Sequence, residues 1–150
     1  MEYTSTARRV IERAKEEAVA LKHHYLGPYH TLLAISLIGG DAIMALEAYT
    51  GRDIDVSELE RSIRERALPA PEGHPVEQDQ LIRTPMYHPS LRTANVEASV
   101  MGHERVGTQH LLLGILSQIE GKASQLLTES GLNYSELREI IREMRNPTED

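Results

Sequence analysis

Apolar residues return along the chain at three- and four-residue intervals, and they do so twice. In the first stretch Ala7, Val10, Ile11, Ala14, Ala18 and Leu21 share one face, the spacing of an amphipathic helix of about four turns. A Gly27-Pro28 break follows, and proline suits the first turn of a new helix. The next run, through Leu32, Leu33 and Ile35 to Ile38, is apolar on most sides and predicts a buried central helix. Gly39-Gly40 ends it, a third helix is predicted from Asp41 to Thr50, and Gly51 is a C-terminal stop. A fourth helix opens on Asp55 with Glu58 three residues on, the pattern of a capping box. No run of alternating Val, Ile and Thr predicts a strand anywhere.

The second half repeats the first. Displaced by 80 residues, Thr4 meets Thr84, Glu17-Ala18 meets Glu97-Ala98, His23 meets His103, Gly27 meets Gly107 and His30 meets His110. The register continues through Leu32-Leu33 on Leu112-Leu113, so Leu111 to Leu113 read as core rather than as a binding stripe. After two extra residues in the first copy the offset becomes 78, and Ser57-Glu58-Leu59 meets Ser135-Glu136-Leu137. Asp55 then corresponds to Asn133, so both copies open their fourth helix on the same capping chemistry. The pattern predicts an all-α fold of eight helices, built as two tandem four-helix repeats about a pseudo-twofold axis. One domain spans 1–150, with repeat one at 1–66, repeat two at 84–150, and a linker at 67–83 carrying Pro69, Pro71, Gly73 and Pro75.

Composition narrows this picture. The 150 residues include no Phe, Trp or Cys, and six Tyr supply all the aromatic area. Leu, Ile, Val, Ala and Met must therefore fill the core. A formal charge of −7, with Lys and Arg mixed among Glu along the same stretches, argues against a nucleic-acid partner. The lack of cysteine fits a reducing cytosol, so a cytoplasmic protein is expected. The longest mainly apolar stretch, Leu32 to Ile38, is far too short for a bilayer, and no membrane partner is expected.

Seven histidines raise a metal reading, a helical metal-dependent enzyme built on His23, His24, His30, His103, Glu104 and His110. The repeat, however, puts His30 and His110 in corresponding places of separate units, each without an obvious second ligand. No i, i+3 or i, i+4 ligand pair is present. Both rings are expected to cap or brace the buried second helix, with no metal or other cofactor held. The serines sit in no nucleophile-elbow context. Glu16, Glu17 and Glu60 have Lys or Arg neighbours and read as solvated helix-surface charges. No enzymatic activity is expected.

The strings HHYLGPYHTLLAIS (23–36) and GHERVGTQHLLLGIL (102–116) resemble the two repeats of the Clp N-terminal domain, the docking domain of the Clp/Hsp100 ATP-driven unfoldases. Repeat two keeps the family's Gly102-His103, Val106-Gly107-Thr108, His110 through Gly114, Glu120-Gly121 and Gly131. The resemblance runs from Tyr3 to Met144. It implies a non-catalytic protein-interaction module whose partners are substrates or adaptors of a Clp unfoldase, or the unfoldase or protease itself. The ATPase modules of that family need a P-loop, and Gly121-Lys122-Ala123 lacks both the upstream glycine and the Ser or Thr. The chain thus reads as a freestanding protein, with decoy or accessory roles open to it, or as the N-terminal piece of a longer one. The closing Asn-Pro-Thr-Glu-Asp suits a natural C-terminus or a linker start.

In the branch of the family that reads phosphoarginine, each repeat brings a Thr near its start and a Glu in Gly-Thr-Glu-His. By that resemblance the Thr positions survive here as Thr4 and Thr84, but the Glu positions are Tyr29 and Gln109. Without a carboxylate the guanidinium loses its charge-assisted partner, so phosphoarginine docking is expected to be weak. A binding groove is expected between the repeats, where the start of each first helix meets the start of each second. Tyr3, Thr4, Pro28, Tyr29, Arg83, Thr84, Thr108 and Gln109 are its expected lining.

Overall fold

The computed structural model describes residues 1–68, 70–144 and 147–148. In chain order the elements are α1 (Ser5–Ala20), β1 (Tyr25–Leu26), α2 (Pro28–Ile38), α3 (Asp41–Thr50) and α4 (Val56–Arg64). A 3₁₀ turn (Gln78–Gln80) and β2 (Ile82–Arg83) precede α5 (Tyr87–Val100), α6 (Thr108–Ser117), α7 (Lys122–Glu129) and α8 (Tyr134–Glu143). Among the described residues the fold is all-α with eight helices, as the periodicity predicts.

Two helices occupy the centre because their sequences leave no polar face. Every residue of α2 from Pro28 to Ser36 is buried, and so is every residue of α6 from Thr108 to Leu116. These helices touch each other, α1 lies along α2, and α5 lies along α6. The α5–α6 approach is close enough that a Cβ on Gly114 would stand 2.0 Å from the Ser90 carbonyl oxygen. Only glycine allows helix backbones to meet at that range. α4 covers α2, α8 covers α6, and α3 crosses from the first unit to pack on α6 and α8 of the second.

Local chemistry sets the helix ends. Thr4 caps α1 by accepting from the Ala7 amide at 3.0 Å. Asp55 accepts from the Ser57 and Glu58 amides, and Asn133 accepts from the Glu136 amide. The reciprocal half of the expected capping box does not form: Glu58 pairs with Arg61, and Glu136 accepts from the Tyr49 hydroxyl at 2.8 Å.

Two further expectations need correction. The chain does contain strand pairing: β1 and β2 run parallel, with Tyr25 opposite Ile82 and Leu26 opposite Arg83, and Tyr3 bridges Val106. These contacts are one pairing used twice, and two residues are too few to leave a period-two pattern. Glu17 is not a solvated charge, because it is buried between Arg13 and Arg64, each at 3.0 Å. Its repeat mate Glu97 is likewise buried, accepting from Arg138 at 2.6 Å and from the Tyr134 hydroxyl at 3.0 Å. In each repeat this carboxylate ties the first helix to the fourth.

The linker is also held more firmly than its prolines suggest. Leu81 is buried, β2 adds the linker's end to β1, and the Leu68 and His74 carbonyls meet the rings of His23 and His24. Pro69 of the linker, and Asn146, Glu149 and Asp150 of the closing stretch, lie outside the described residues. Among the described residues no single helix is long and apolar enough to cross a membrane.

Candidate functional site

The expected groove resolves into two separate seams, one for each copy of the pairing. At the first seam the Thr84 amide donates to the Leu26 carbonyl at 2.9 Å, bringing the approach to α5 against the start of α2. At the second the Thr4 amide donates to the Val106 carbonyl at 2.9 Å, bringing the approach to α1 against the start of α6. Thr84, Tyr29, Pro28 and Arg83 thus belong to the first seam, and Tyr3, Thr4, Thr108 and Gln109 to the second.

Similar residues behave differently at the two seams. Thr4 is fully buried and spends its hydroxyl on the α1 cap. Thr84 precedes Pro85, α5 begins later than its counterpart, and the Thr84 Oγ1 is buried without a hydrogen-bond partner. That oxygen would stand 3.0 Å from a Cβ on Gly27, so a residue larger than glycine would press on the hydroxyl. Tyr29 is buried and donates its hydroxyl to the Ile63 carbonyl at 2.9 Å. Burial, opposed by Arg64, pushes its pKa up to about 12. Gln109, in the corresponding place, is fully buried and neither end of its amide has a partner. Thr108 is buried with Oγ1 accepting from the Ala42 amide at 2.9 Å, which fastens the start of α3 to α6. Tyr3 is half-buried and Arg83 exposed, its guanidinium 6.0 Å from the Tyr87 ring centroid.

At the second seam Thr4, Thr108 and Gln109 are fully buried, whereas the first seam is hollow. A cavity of about 190 Å³ lies there, between the start of α2, the approach to α5 and the start of α7. Tyr25, Pro28, Tyr29, Met86, Ile115 and Ala123 give it a mainly apolar wall, and Arg66, Lys122 and Glu120 bring charges of both signs to it. Met86 and the α7 residues of this wall carried no signal in the sequence, because their nearness to Tyr29 depends on how the repeats cross.

The histidines do something the sequence did not reveal. His30 Nδ1 accepts from the Gly27 amide at 3.1 Å, the expected bracing of α2. Its Nε2 lies 2.8 Å from His23 Nδ1, and His23 Nε2 lies 3.0 Å from the Leu68 carbonyl oxygen. The donors and acceptors at the two ends fix the tautomers: each Nε2 carries the proton, and each Nδ1 accepts. Repeat two builds the same chain from Gly107 through His110 and His103 to the Met144 carbonyl, with 2.8 Å between the rings. Burial and then the neighbouring ring hold both His30 and His110 down to about 3. All ring nitrogens of each pair are engaged, so the pairs are structural relays. The sequence did not pair His23 with His30 because seven residues separate them across a turn, outside the helical ligand spacings.

A family model, the Clp repeat (R) N-terminal domain, matches residues 2–130 and 82–147. A probable ATP-dependent Clp protease ATP-binding subunit of Chlamydia pneumoniae is 36% identical, over 95% of this chain and 16% of that protein. The negative regulator of genetic competence ClpC/MecB of Bacillus subtilis is 31% identical, over 98% of this chain and 17% of its own length. The chain therefore spans 16–17% of the length of these two relatives. The Hsp104 N-terminal domain from Candida albicans superposes with a TM-score of 0.74 at 19% identity, covering 95% of this chain and 91% of that one. The N-domain of ClpV from Vibrio cholerae gives 0.74 at 13% identity, covering 98% and 89%. At such identities the two structures speak to the fold alone.

Proposed function

The chain belongs to the Clp repeat N-terminal domain family, and on that premise we propose that it is a protein-interaction module of the Clp system. It docks substrates, adaptors or peptide-like ligands and catalyses no reaction itself. The partner is a segment of a Clp substrate or adaptor, or a surface of the unfoldase or protease core. The observation that carries this reading is the cavity at the first seam. Its size suits one or two apolar side chains, and its Tyr29, Met86 and Ile115 wall offers the aromatic and flexible contacts that interaction sites favour. The unpartnered Thr84 hydroxyl beside it supplies a polar atom for a bound backbone. Exposed Arg83 extends the surface beside Thr84, whereas Tyr3, Thr4, Thr108 and Gln109 belong to the closed second seam. The engagement of every ring nitrogen in both histidine pairs supports a role without catalysis.

Free phosphoarginine is a poor fit. Neither Tyr29 nor Gln109 offers a carboxylate, the Tyr29 hydroxyl is committed to Ile63, and at the cavity Arg66 and Lys122 outnumber the one carboxylate, Glu120. The test is fluorescence anisotropy with labelled, unfolded casein, on the wild type and on Met86→Glu. Met86 is half-buried at the N-cap of α5, where a carboxylate favours the helix but spoils an apolar pocket. Binding weakened about tenfold in the variant, with unchanged circular dichroism, supports the assignment. Equal binding by both proteins, or tight binding of free phosphoarginine, refutes it.

A further inference from the structure

A second concavity, larger than the first, lies at the other end of α7 and shares Arg66 with it. It holds about 590 Å³ and runs between the end of α3, the α3–α4 loop, α4 and the C-terminal part of α7. Its floor is aliphatic, formed by Leu46, Ile54, Leu59, Leu126, Leu127 and Leu132. Its rim is acidic: Asp53, Asp55, Glu58, Glu65 and Glu129 face two guanidinium groups, Arg52 and Arg66. Arg61 pairs with Glu58 and Arg66 with Glu129, while Asp53 and Glu65 have no ion pair among the described residues.

The repeat shows what such a junction takes when it is filled. The place related to this groove is the contact of α3 with α8, which is closed. There Tyr49, near the end of α3, donates its hydroxyl toward the Gly131 carbonyl at 3.0 Å and Glu136 at 2.8 Å. It also accepts from the Asn133 amide at 3.1 Å. On the groove side the position of Tyr49 is taken by Glu129, whose carboxylate turns to Arg66. The residues that correspond to Gly131, Asn133 and Glu136 are Gly51, Asp55 and Glu58, and the last two line the groove. The two residues by which the first copy is longer fall in the loop between α3 and α4, where Arg52, Asp53 and Ile54 form one wall. The groove therefore lacks an aromatic side chain from α7 and has an enlarged loop, while Tyr49, engaged in the related junction, lines it from α3.

We propose that this groove docks a basic segment of a partner protein, anchored by a tyrosine that takes the place Tyr49 takes in the related junction. The tyrosine ring meets the leucine floor, its hydroxyl reaches the start of α4, and flanking Lys or Arg side chains meet Asp53 and Glu65. The proposal rests on the reading of the chain as an interaction module but uses a different surface. An aromatic anchor in a desolvated pocket with charges at the rim is the usual distribution of binding energy.

A labelled synthetic peptide alternating Lys with Leu around one central Tyr is the probe, titrated by anisotropy at low and at high salt. Saturable binding that weakens with salt is expected, with about tenfold loss when the peptide Tyr becomes Ala. The double variant Asp53→Lys, Glu65→Lys should lose about tenfold or more, since both carboxylates are exposed and serve no helix cap. Glu129→Tyr, which supplies the α7 aromatic from within, should block the peptide without lowering thermal stability. Met86→Glu should leave this titration unchanged, which separates it from the seam cavity. No binding, equal binding of a Glu-for-Lys peptide, or binding indifferent to both groove variants would overturn the proposal.

Discussion

α3 and α7 hold the same position in the two repeats, yet they are fastened differently. The start of α3 is tied to α6 by Thr108 Oγ1, which accepts from the Ala42 amide. Its other end is plugged into α8 by Tyr49. α7 has neither fastening, because Pro28 stands where the related unit has Thr108, and Glu129 stands where it has Tyr49. A proline side chain has no acceptor, and a carboxylate does not fill an apolar seat. The first cavity opens beside the start of α7 and the larger groove beside its end. Duplication supplied two equivalent helices; two substitutions and a two-residue insertion left one of them with concave surfaces on both flanks. Concave surfaces here arise where repeat symmetry is broken, and the buried relays lie where it is kept.

The largest test concerns what the halves share. His30 and His110 have folded-state values near 3 against an unfolded value near 6.5. The folded state holds these rings neutral, so below pH 6.5 the unfolded chain binds more protons. Stability is fully present above pH 6.5 and falls as pH drops toward 3, by about 1.4 kcal/mol per pH unit for each ring. Urea unfolding at pH 7.5 and 5.0 should show a midpoint that falls steeply, in a single transition, because both repeats carry the same relay. A flat profile, or a loss confined to one half by hydrogen exchange, would break the equivalence of the relays.

A smaller effect tests the difference. Thr108→Val removes the acceptor of the buried Ala42 amide and should cost about 1–3 kcal/mol. Hydrogen exchange should report faster opening of α3 than of α7. The converse change, Pro28→Thr, offers α7 the fastening it lacks. It should leave stability within about 1 kcal/mol of the wild type and reduce casein binding at the first seam. If Thr108→Val is silent, the tether is not what distinguishes the two helices.

The helices, their caps and the twofold repetition were legible because each rests on short-range patterns: three- and four-residue spacing, glycine stops, an Asp or Asn before a helix. The family was legible through the two histidine–glycine strings. Long-range geometry left fewer marks. Glu17 looks like any charge beside Arg13, and only the arrival of Arg64 from α4 makes it a buried link. The residues expected to form one groove were correctly placed at helix starts, but each repeat's start meets the other repeat, so they divide between two seams. The groove beside α4 left a trace that is visible only in hindsight, the two-residue change in the repeat offset between Gly51 and Asp55.

Gln109 gives the smallest effect and the sharpest contrast between resemblance and structure. Read by family pattern, it is a ligand carboxylate changed to an amide, and Gln109→Glu would restore recognition of a guanidinium. In the fold it is fully buried, and both its Nε2 and Oε1 lack partners. Its repeat mate Tyr29 reaches a carbonyl of α4, whereas the shorter amide makes no such bond to α8. Desolvating an amide without compensation is unfavourable, and an apolar side chain of similar volume removes that penalty. Gln109→Leu should therefore stabilise the protein by about 1 kcal/mol, read as a shift in the urea midpoint with unchanged slope. Gln109→Glu should destabilise it at neutral pH by more than Leu stabilises, because the charge has no solvent and no partner, and the loss should shrink as pH falls and the carboxyl protonates. If Glu is tolerated at pH 7 and confers binding of free phosphoarginine, the second seam opens in solution and its assignment as closed fails.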